Sequence, residues 1–284
     1  MKSTIRTKKM VECALLVAIG TVLSLFSVVN MPYGGSITVA SMLPVVLISY
    51  RHGLSWGLGS GFVYAIVQQL LGLNNLTYFT TWQSVVAVIF LDYIIAFVAV
   101  GLGGVFRRTI TQQSLSLVCG SVLVCLIRYL CHVVSGATVW AGLSIPTEAA
   151  LLYSFGYNAT YMIPETVVLV LAAYYLGSVL DFRREKPTRL ASVNSGCKAA
   201  DALTAVAGLL TVSALATDVA LIFLHLQNAD GEFDMTGLAV SEFAGSFWMG
   251  VVIVTAVASV AVAALIVARH ILLKNADEQN RAET

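Results

Sequence analysis

Charged residues are what this chain has least of. Only 11% of its 284 residues are charged and 58% are hydrophobic, whereas a soluble domain usually carries about 25% charged residues. The formal net charge is only +1, so the chain has no basic field of the kind that attracts nucleic acid. The composition therefore indicates a protein of the lipid bilayer and excludes a nucleic-acid-binding module.

Motifs for metal, redox or nucleotide chemistry are also missing. The five cysteines form no CxxC pair, and four of them lie inside apolar runs, so we expect them to pack in the core rather than to bind zinc or form a disulfide framework. The patterns GxxxxGK(S/T) and HExxH do not occur, and GxSxG occurs once, as GLSWG at 53–57, beside the basic 51–52 turn. We therefore predict no catalytic residue, no metal and no cofactor, and we expect any ATP hydrolysis to reside in other chains.

Eight apolar segments are present. The first is preceded by basic residues, but it is too long for a signal peptide and no cleavage site follows it, so we expect it to remain as a helix. The second is interrupted by Pro44 and is short for a membrane span, which needs about 20 residues. The segments run approximately over residues 11–29, 37–50, 54–72, 83–106, 114–137, 149–180, 202–226 and 238–267.

Basic residues alternate with these segments. Apart from Arg128, they fall at the two termini, in the 51–52 and 107–108 turns and in the 183–198 linker. Lys and Arg mark the cytoplasmic side of a membrane, so the pattern predicts that both termini are cytoplasmic. The loops predicted to be external contain no Lys or Arg, and they are residues 30–36, 73–82, 138–148 and 227–237.

The fold class predicted from these patterns is an all-α integral membrane protein. A six-helix domain occupies residues 1–182, and a cytoplasmic linker follows at 183–198. Residues 199–284 form an extension of two further transmembrane helices with a cytoplasmic tail.

Ionisable side chains inside apolar segments are costly, at about 2.5–3.5 kcal/mol each on insertion scales, and therefore indicate function by default. Asp92, about ten residues into its segment, could pair with Arg128 or face a ligand. Glu165 follows Pro164 and could pair with Arg128 deeper in the bundle. The whole set is Glu12, Asp92, Arg128, Glu165, Asp218 and Glu242.

The stretch 132–158 gathers polar and aromatic groups around one predicted external loop. His132, Trp140, Tyr153 and Asn158 supply an imidazole, an indole, a phenol and a carboxamide. An unsatisfied polar group in an apolar environment costs about 2–7 kcal/mol, so we expect these side chains to line a pocket. Together with Asp92 they suit an aromatic, hydrogen-bonding, cationic ligand. The residues alone indicate a small heteroaromatic nutrient.

Three motifs carry a family resemblance: MPYGGSITVASMLPVVLISYRHGL at 31–54, LDYIIAF at 91–97, and RYLCH with YSFGYNATYMIPE within 128–165. Over roughly residues 8–182 the chain resembles the thiamine-binding S component of the energy-coupling factor (ECF) transporters of bacterial cell membranes. The resemblance implies that the carboxylate contacts the aminopyrimidine and that the indole stacks on a ring. The thiamine-binding residues that it implies are Asp92, Tyr93, His132, Trp140, Tyr153 and Asn158.

The resemblance also implies partners. Ala14 and Ala18 match a small-xxx-small stripe on the first helix, which would dock the ECF transmembrane coupling subunit; two ATPase subunits complete such a transporter. Where the family usually brings an aromatic residue, often Trp, from the first external loop, this chain has only Tyr33, and Trp82 could substitute for it. The extension lies outside the resemblance, and its helices either pack together or on the bundle, or offer a second partner surface.

The function that follows is that of a subunit, not an enzyme, which captures thiamine outside and delivers it through an ATP-driven transporter. We expect the 30–36 and Trp140 loops to close the pocket, and release to require the subunit to reorient. The alternatives are an S component for another heteroaromatic vitamin, a proton-coupled secondary transporter using Asp92 and Glu165, and an intramembrane enzyme using Asp92 with Asp218. Inverted repeats, which would favour the secondary transporter, are not found.

Overall fold

The computed structural model describes residues 2–31, 33–143, 150–190, 198–225 and 245–282. These residues form two compact units, Met1–Arg189 and Leu190–Thr284. In both units nearly all of the described secondary structure is helical, and the strands are two to four residues long. The predicted all-α membrane fold is therefore confirmed.

The first unit contains six helical segments, as the apolar pattern predicted. The fourth runs continuously over Trp82–Arg108 and contains α4 and α5, which are joined by a π-helical turn, Ile89–Ile95. The named helices are α1 (Lys2–Leu25), α2 (Leu43–His52), α3 (Leu54–Leu71), α4 (Trp82–Val88), α5 (Ala96–Val98), α6 (Gln113–Thr138) and α7 (Ala150–Val179).

Several helices are long and apolar enough to cross a membrane. In the first unit these are the Trp82–Arg108 segment, α6 and α7, and in the second unit the Met249–Ala276 helix. The short helix α2 is buried from Leu43 to Tyr50, so it lies inside the bundle, and Pro44 sits in its first turn, where a missing backbone N–H costs nothing. The chain is a multi-pass membrane protein.

The loop after α1, which was predicted to be external, forms a small sheet that the sequence pattern did not predict. Helix α1 ends at Leu25 rather than near residue 29, and strands β1 (Ser27–Asn30) and β2 (Ser36–Thr38) pair antiparallel. Asn30 lies opposite Ser36, and Gly34 and Gly35 form the turn with φ of +95° and +92°. Such angles are easy only for glycine, so these residues allow the chain to reverse.

Backbone contacts at glycine hold the helices of the first unit together. Gly57 of α3 packs directly on Gly101, so that a Cβ at Gly57 would collide with the Gly101 carbonyl oxygen. Gly120 of α6 makes a similar contact with Gly103. The Ser49 hydroxyl of α2 donates to the Gly101 carbonyl and accepts from the backbone N–H of Gly104. Small residues at helix crossings let backbones approach closely, which makes this a tightly packed frame for the site.

Polar contacts hold the start of the predicted linker against the end of the bundle that lies opposite the β1–β2 hairpin. Arg51 donates to the Phe182 carbonyl at 3.1 Å, and Arg183 donates to the Tyr50 hydroxyl at 3.1 Å. Strands β3 (Leu180–Asp181) and β4 (Thr188–Arg189) pair there. The first unit therefore extends to residue 189, and residues 191–197 of the predicted linker lie outside the described structure.

The second unit consists of α8 (Lys198–His225) and α9 (Gly245–Ala282), which pack against each other. The Thr255 hydroxyl of α9 donates to Asp218 of α8 at 2.6 Å, so the buried carboxylate joins the two helices. Helix α9 continues to Ala282, beyond the predicted apolar run. Glu242 and the predicted loop 227–237 lie outside the described residues.

Candidate functional site

A cavity of about 410 Å³ lies at the hairpin end of the first unit. Its volume falls in the range of about 300–1,000 Å³ that is typical of small-molecule sites. The wall is formed by the β1–β2 hairpin, the Gly72–Asn75 turn, the π-helical turn, α6 and α7. Of the predicted binding residues, the structure brings to this wall Tyr33, Asp92, Tyr93, His132, Trp140 and Asn158.

Asp92 is at the centre of the hydrogen bonding in this cavity. One carboxylate oxygen, Oδ2, accepts from the Ser135 hydroxyl at 2.6 Å and from the Trp140 indole N–H at 3.1 Å. The other, Oδ1, lies 2.9 Å from His132 Nδ1. Asp92 stands on the π-helical turn, a distortion that is frequent at functional sites. The carboxylate therefore fixes the positions of two predicted ligand-binding side chains.

The Asp92 contact also determines what His132 presents to the cavity. A carboxylate can only accept, so we assign the proton on this edge of the imidazole to Nδ1. The opposite nitrogen, Nε2, is buried and has no hydrogen-bond partner among the described residues. In the neutral ring Nε2 is an acceptor, and it can receive a hydrogen bond from a ligand amine.

Asn158 joins α6 and α7 beside the cavity. Its amide nitrogen donates to the Ser154 carbonyl at 2.9 Å and to the His132 carbonyl at 3.3 Å, while its oxygen accepts from the Tyr161 hydroxyl at 2.6 Å. Gly136 makes this approach possible, since a Cβ there would collide with Ser154 Oγ. Most of the hydrogen-bonding capacity of Asn158 is therefore used within the wall itself.

The structure does not bring Tyr153 to the cavity wall. The two tyrosines of α7 that line the cavity, Tyr157 and Tyr161, lie one and two turns further along the helix. The Tyr157 hydroxyl donates to the Gly34 carbonyl at 3.0 Å and so holds the tip of the hairpin. The four-residue spacing of Tyr153, Tyr157 and Tyr161 places them on one face of α7, but spacing alone does not show which turn reaches the cavity.

An aromatic cluster adjoins the cavity, which two of its members, Tyr33 and Trp140, line. The Trp140 ring contacts Phe79 and Tyr78, with centroids 4.7 and 5.9 Å apart, and Tyr33 packs edge-on against Tyr78 at 5.7 Å. Trp82 does not join this cluster: it is 71% exposed and does not line the cavity. Tyr33 and Trp140 thus meet through Tyr78. The predicted Trp140 loop is described only as far as residue 143.

Tyr93 connects the π-helical turn to the Gly72–Asn75 turn. Its hydroxyl accepts from the Asn75 amide at 3.0 Å and donates to the Gly72 carbonyl at 3.3 Å. Neither Asn75 nor Ser135 was predicted as a site residue. Asn and Ser are common in loops and helices, so the sequence carries no distinctive signal for them.

Arg128 and Glu165 form the deep end of the cavity, but they make neither of the ion pairs considered for them. The Arg128 guanidinium lies 4.3 Å from the centroid of the Phe97 ring and donates to the Met42 sulfur at 2.8 Å. Glu165 instead accepts from the backbone N–H and the hydroxyl of Thr38, at 2.6 and 2.7 Å. Helix α7 is therefore bonded to the base of the hairpin as well as to its tip.

Ala14 and Ala18 both lie on an exposed face of α1. Large apolar side chains flank them, with Leu15 61% and Ile19 50% exposed. The role of this face as a partner surface stays a prediction.

Comparisons with known proteins identify relatives of the first unit. The family described as thiamine transporter protein (Thia_YuaJ) matches residues 10–182. Thiamine transporter ThiT of Bacillus subtilis (strain 168) is 31% identical over 174 residues, which cover 57% of this chain and 86% of that protein. A solved structure of ThiT from Listeria monocytogenes is 21% identical, with a TM-score of 0.49, over 61% of this chain and 94% of that one.

Proposed function

The chain belongs to the thiamine transporter protein family, and on this premise we propose that its first unit binds thiamine at the outer face of the membrane as the capture subunit of an ECF-type transporter. The observation that carries the proposal is the convergence of Asp92, His132 and Trp140 on one aromatic-walled cavity. In the proposed orientation the lysine- and arginine-free loops face outward and both termini are cytoplasmic.

The charge and shape of the cavity fit thiamine. Asp92 and Glu165 supply two carboxyl groups and Arg128 supplies one guanidinium, so acidic side chains outnumber lysine and arginine in the cavity wall. Thiamine carries one positive charge on its thiazolium ring. A cation over an aromatic face gains about 0.5–2 kcal/mol, and the Trp140, Tyr33 and Tyr93 rings are available for it. The exocyclic amine of the aminopyrimidine can donate to His132 Nε2 or to the remaining lone pair of Asp92 Oδ1.

The hydrogen bonds favour a binding subunit over a proton-coupled transporter. A proton relay needs carboxylates that release and regain protons during each cycle. Asp92 is held by donors from Ser135 and Trp140, and Glu165 by two donors from Thr38. Both carboxyl groups are therefore held by fixed donors of the first unit. We propose that transport is instead driven by two ATPase subunits through a coupling subunit that docks on the Ala14–Ala18 face.

Thiamine binding can be followed through intrinsic tryptophan fluorescence, because Trp140 is one of only four tryptophans and lines the cavity. We expect saturable quenching on titration of the purified full chain with thiamine, and loss of most of the signal change in Trp140→Phe. Trp82→Phe is the matched control, since Trp82 is exposed outside the cavity, and it should keep the response. Absence of both quenching and calorimetric heat in the unaltered protein would refute thiamine as the ligand.

Energy coupling can be separated from binding by measuring thiamine accumulation in cells. We expect uptake only when the coupling and ATPase subunits are present with this chain. The double substitution Ala14→Leu with Ala18→Leu should abolish uptake while leaving thiamine affinity unchanged, because bulk at a close helix contact prevents docking. Uptake by this chain alone that collapses with the proton gradient would favour the secondary transporter instead.

Tyr157 and Tyr153 can be compared directly by removing each hydroxyl. Tyr157→Phe should weaken thiamine binding several-fold, because it deletes the bond that holds Gly34 at the hairpin tip, a contribution of about 0.5–1.5 kcal/mol. Tyr153→Phe should leave the affinity unchanged. Isothermal titration calorimetry gives both values, and a larger loss in Tyr153→Phe would restore that residue to the site.

A further inference from the structure

A second pocket lies at the end of the first unit that is remote from the thiamine cavity. It is formed between the first turns of α1 and of α3 and has a volume of about 560 Å³. Two cations, a hydroxyl, an indole and an aliphatic side chain surround it, namely Arg6, Lys9, Ser55, Trp56 and Ile5. The proposed thiamine-binding function uses none of these groups.

The acidic residues at this end of the first unit are already engaged. Glu12, one turn beyond Lys9, pairs with Arg51 and His52. Asp181 pairs with Arg184, and Glu185 with Lys8. Among the described residues no acidic side chain forms an ion pair with Arg6 or Lys9. The basic side chains at this end are Arg6, Lys8, Lys9, Arg51, Arg107, Arg108, Arg183, Arg184, Lys186 and Arg189, so the pocket lies in a region of strong positive charge.

An apolar path continues from the pocket along α3. Gly59 lies one turn beyond Ser55 on the same face, and a Cβ placed there would meet nothing within 4 Å. Phe62 and Val63, the next turn, are 49% and 51% exposed. The half-buried Trp56 packs edge-on near the His52 ring, with centroids 6.5 Å apart, and an indole is typical of the level of lipid headgroups. The pocket, with its two cationic side chains, therefore leads into an open apolar surface, an arrangement that suits an amphiphile.

We propose that this pocket binds the phosphate headgroup of an anionic membrane phospholipid, with Arg6 and Lys9 as the cationic ligands and an acyl chain lying past Gly59 along α3. Basic pockets between transmembrane helices are suited to such headgroups, and anionic lipids are attracted to juxtamembrane lysine and arginine. The site is independent of the thiamine cavity. It would anchor the ends of α1 and α3, the helices that carry the proposed docking face and the pocket.

The proposal can be tested by native mass spectrometry of the full chain titrated with phosphatidylglycerol, phosphatidylcholine or inorganic phosphate. We expect one tightly retained phosphatidylglycerol and much weaker retention of phosphatidylcholine. The pair Arg6→Gln with Lys9→Gln should lower the phosphatidylglycerol affinity about tenfold or more, since each basic residue near an anionic surface contributes favourably. The pair Arg108→Gln with Lys186→Gln removes the same charge outside the pocket and should keep the affinity within about twofold.

A second measurement covers the case in which the pocket variant fails to fold. Brominated phosphatidylglycerol in vesicles should quench the tryptophan fluorescence of the unaltered protein. Trp56→Phe should remove the part of this quenching that comes from Trp56. Equal losses in the two charge pairs, or equal retention of phosphatidylcholine, would overturn the proposal. Binding of inorganic phosphate as tight as that of the lipid would assign the pocket to free phosphate. Failure of thiamine to bind would leave these results unaffected, so the two proposals fail separately.

Discussion

Asp92→Asn should lower the affinity for thiamine by about 10- to 100-fold, since hydrogen bonds to a charged group contribute about 1.5–3 kcal/mol. Asparagine has nearly the same shape, but its amide group offers one acceptor oxygen where the carboxylate offers two. Ser135, Trp140 and His132 all approach that carboxylate. At least one of them must then lose its acceptor, and the cavity wall also loses one of its two acidic side chains. Titration calorimetry with thiamine measures the loss.

Asp181→Asn is the matched control for this change, because Asp181 lies at the other end of the first unit and pairs with Arg184. It should bind thiamine as the unaltered protein does. Ser135→Ala removes a single donor from the same carboxylate, and its effect should be intermediate. An unchanged affinity in Asp92→Asn would remove Asp92 from the site and with it the main support for the proposed binding mode.

Gly57→Ala should destabilise the protein by about 1–3 kcal/mol, because an added methyl group would overlap the Gly101 carbonyl oxygen and the Ser49 side chain. The contact is between backbones and a short buried side chain, so little can move to make room. Thermal unfolding in detergent, followed by far-UV circular dichroism, should show a clearly lower melting temperature.

Gly59→Ala provides an internal comparison on the same helix. A Cβ at Gly59 meets nothing within 4 Å, and alanine favours helix over glycine by about 0.5–1 kcal/mol, so this variant should be neutral or slightly more stable. If both variants melted together with the unaltered protein, the close Gly57–Gly101 packing would be refuted.

The sequence was informative where polar groups lie in apolar surroundings. Asp92, His132 and Asn158 were recognisable because such groups are expensive inside a membrane, and the structure brings them to one cavity. The six helical segments of the first unit followed from apolar runs and from the placement of lysine and arginine. These signals are local and strong, so they predict helices and site residues even when the packing is not known.

Features that depend on packing could not be predicted in the same way. The strand Ser27–Asn30 is continuous with an apolar helix in sequence, and its pairing with Ser36–Thr38 depends on the Gly34 turn. Which turn of α7 reaches the cavity depends on the close approach of Gly136 to Ser154 on α7. The partners of Glu165 followed neither from charge nor from spacing, because Thr38 lies 127 residues away in sequence.

The double attachment of the β1–β2 hairpin has a kinetic consequence. Its tip is bonded to Tyr157 and its base to Glu165, two turns apart on one helix. Because the hairpin is hydrogen-bonded to α7 at both positions, it cannot move on its own without breaking both bonds. It moves together with α7. The dissociation rate of the proposed ligand should therefore depend on how readily α7 moves away from its neighbours.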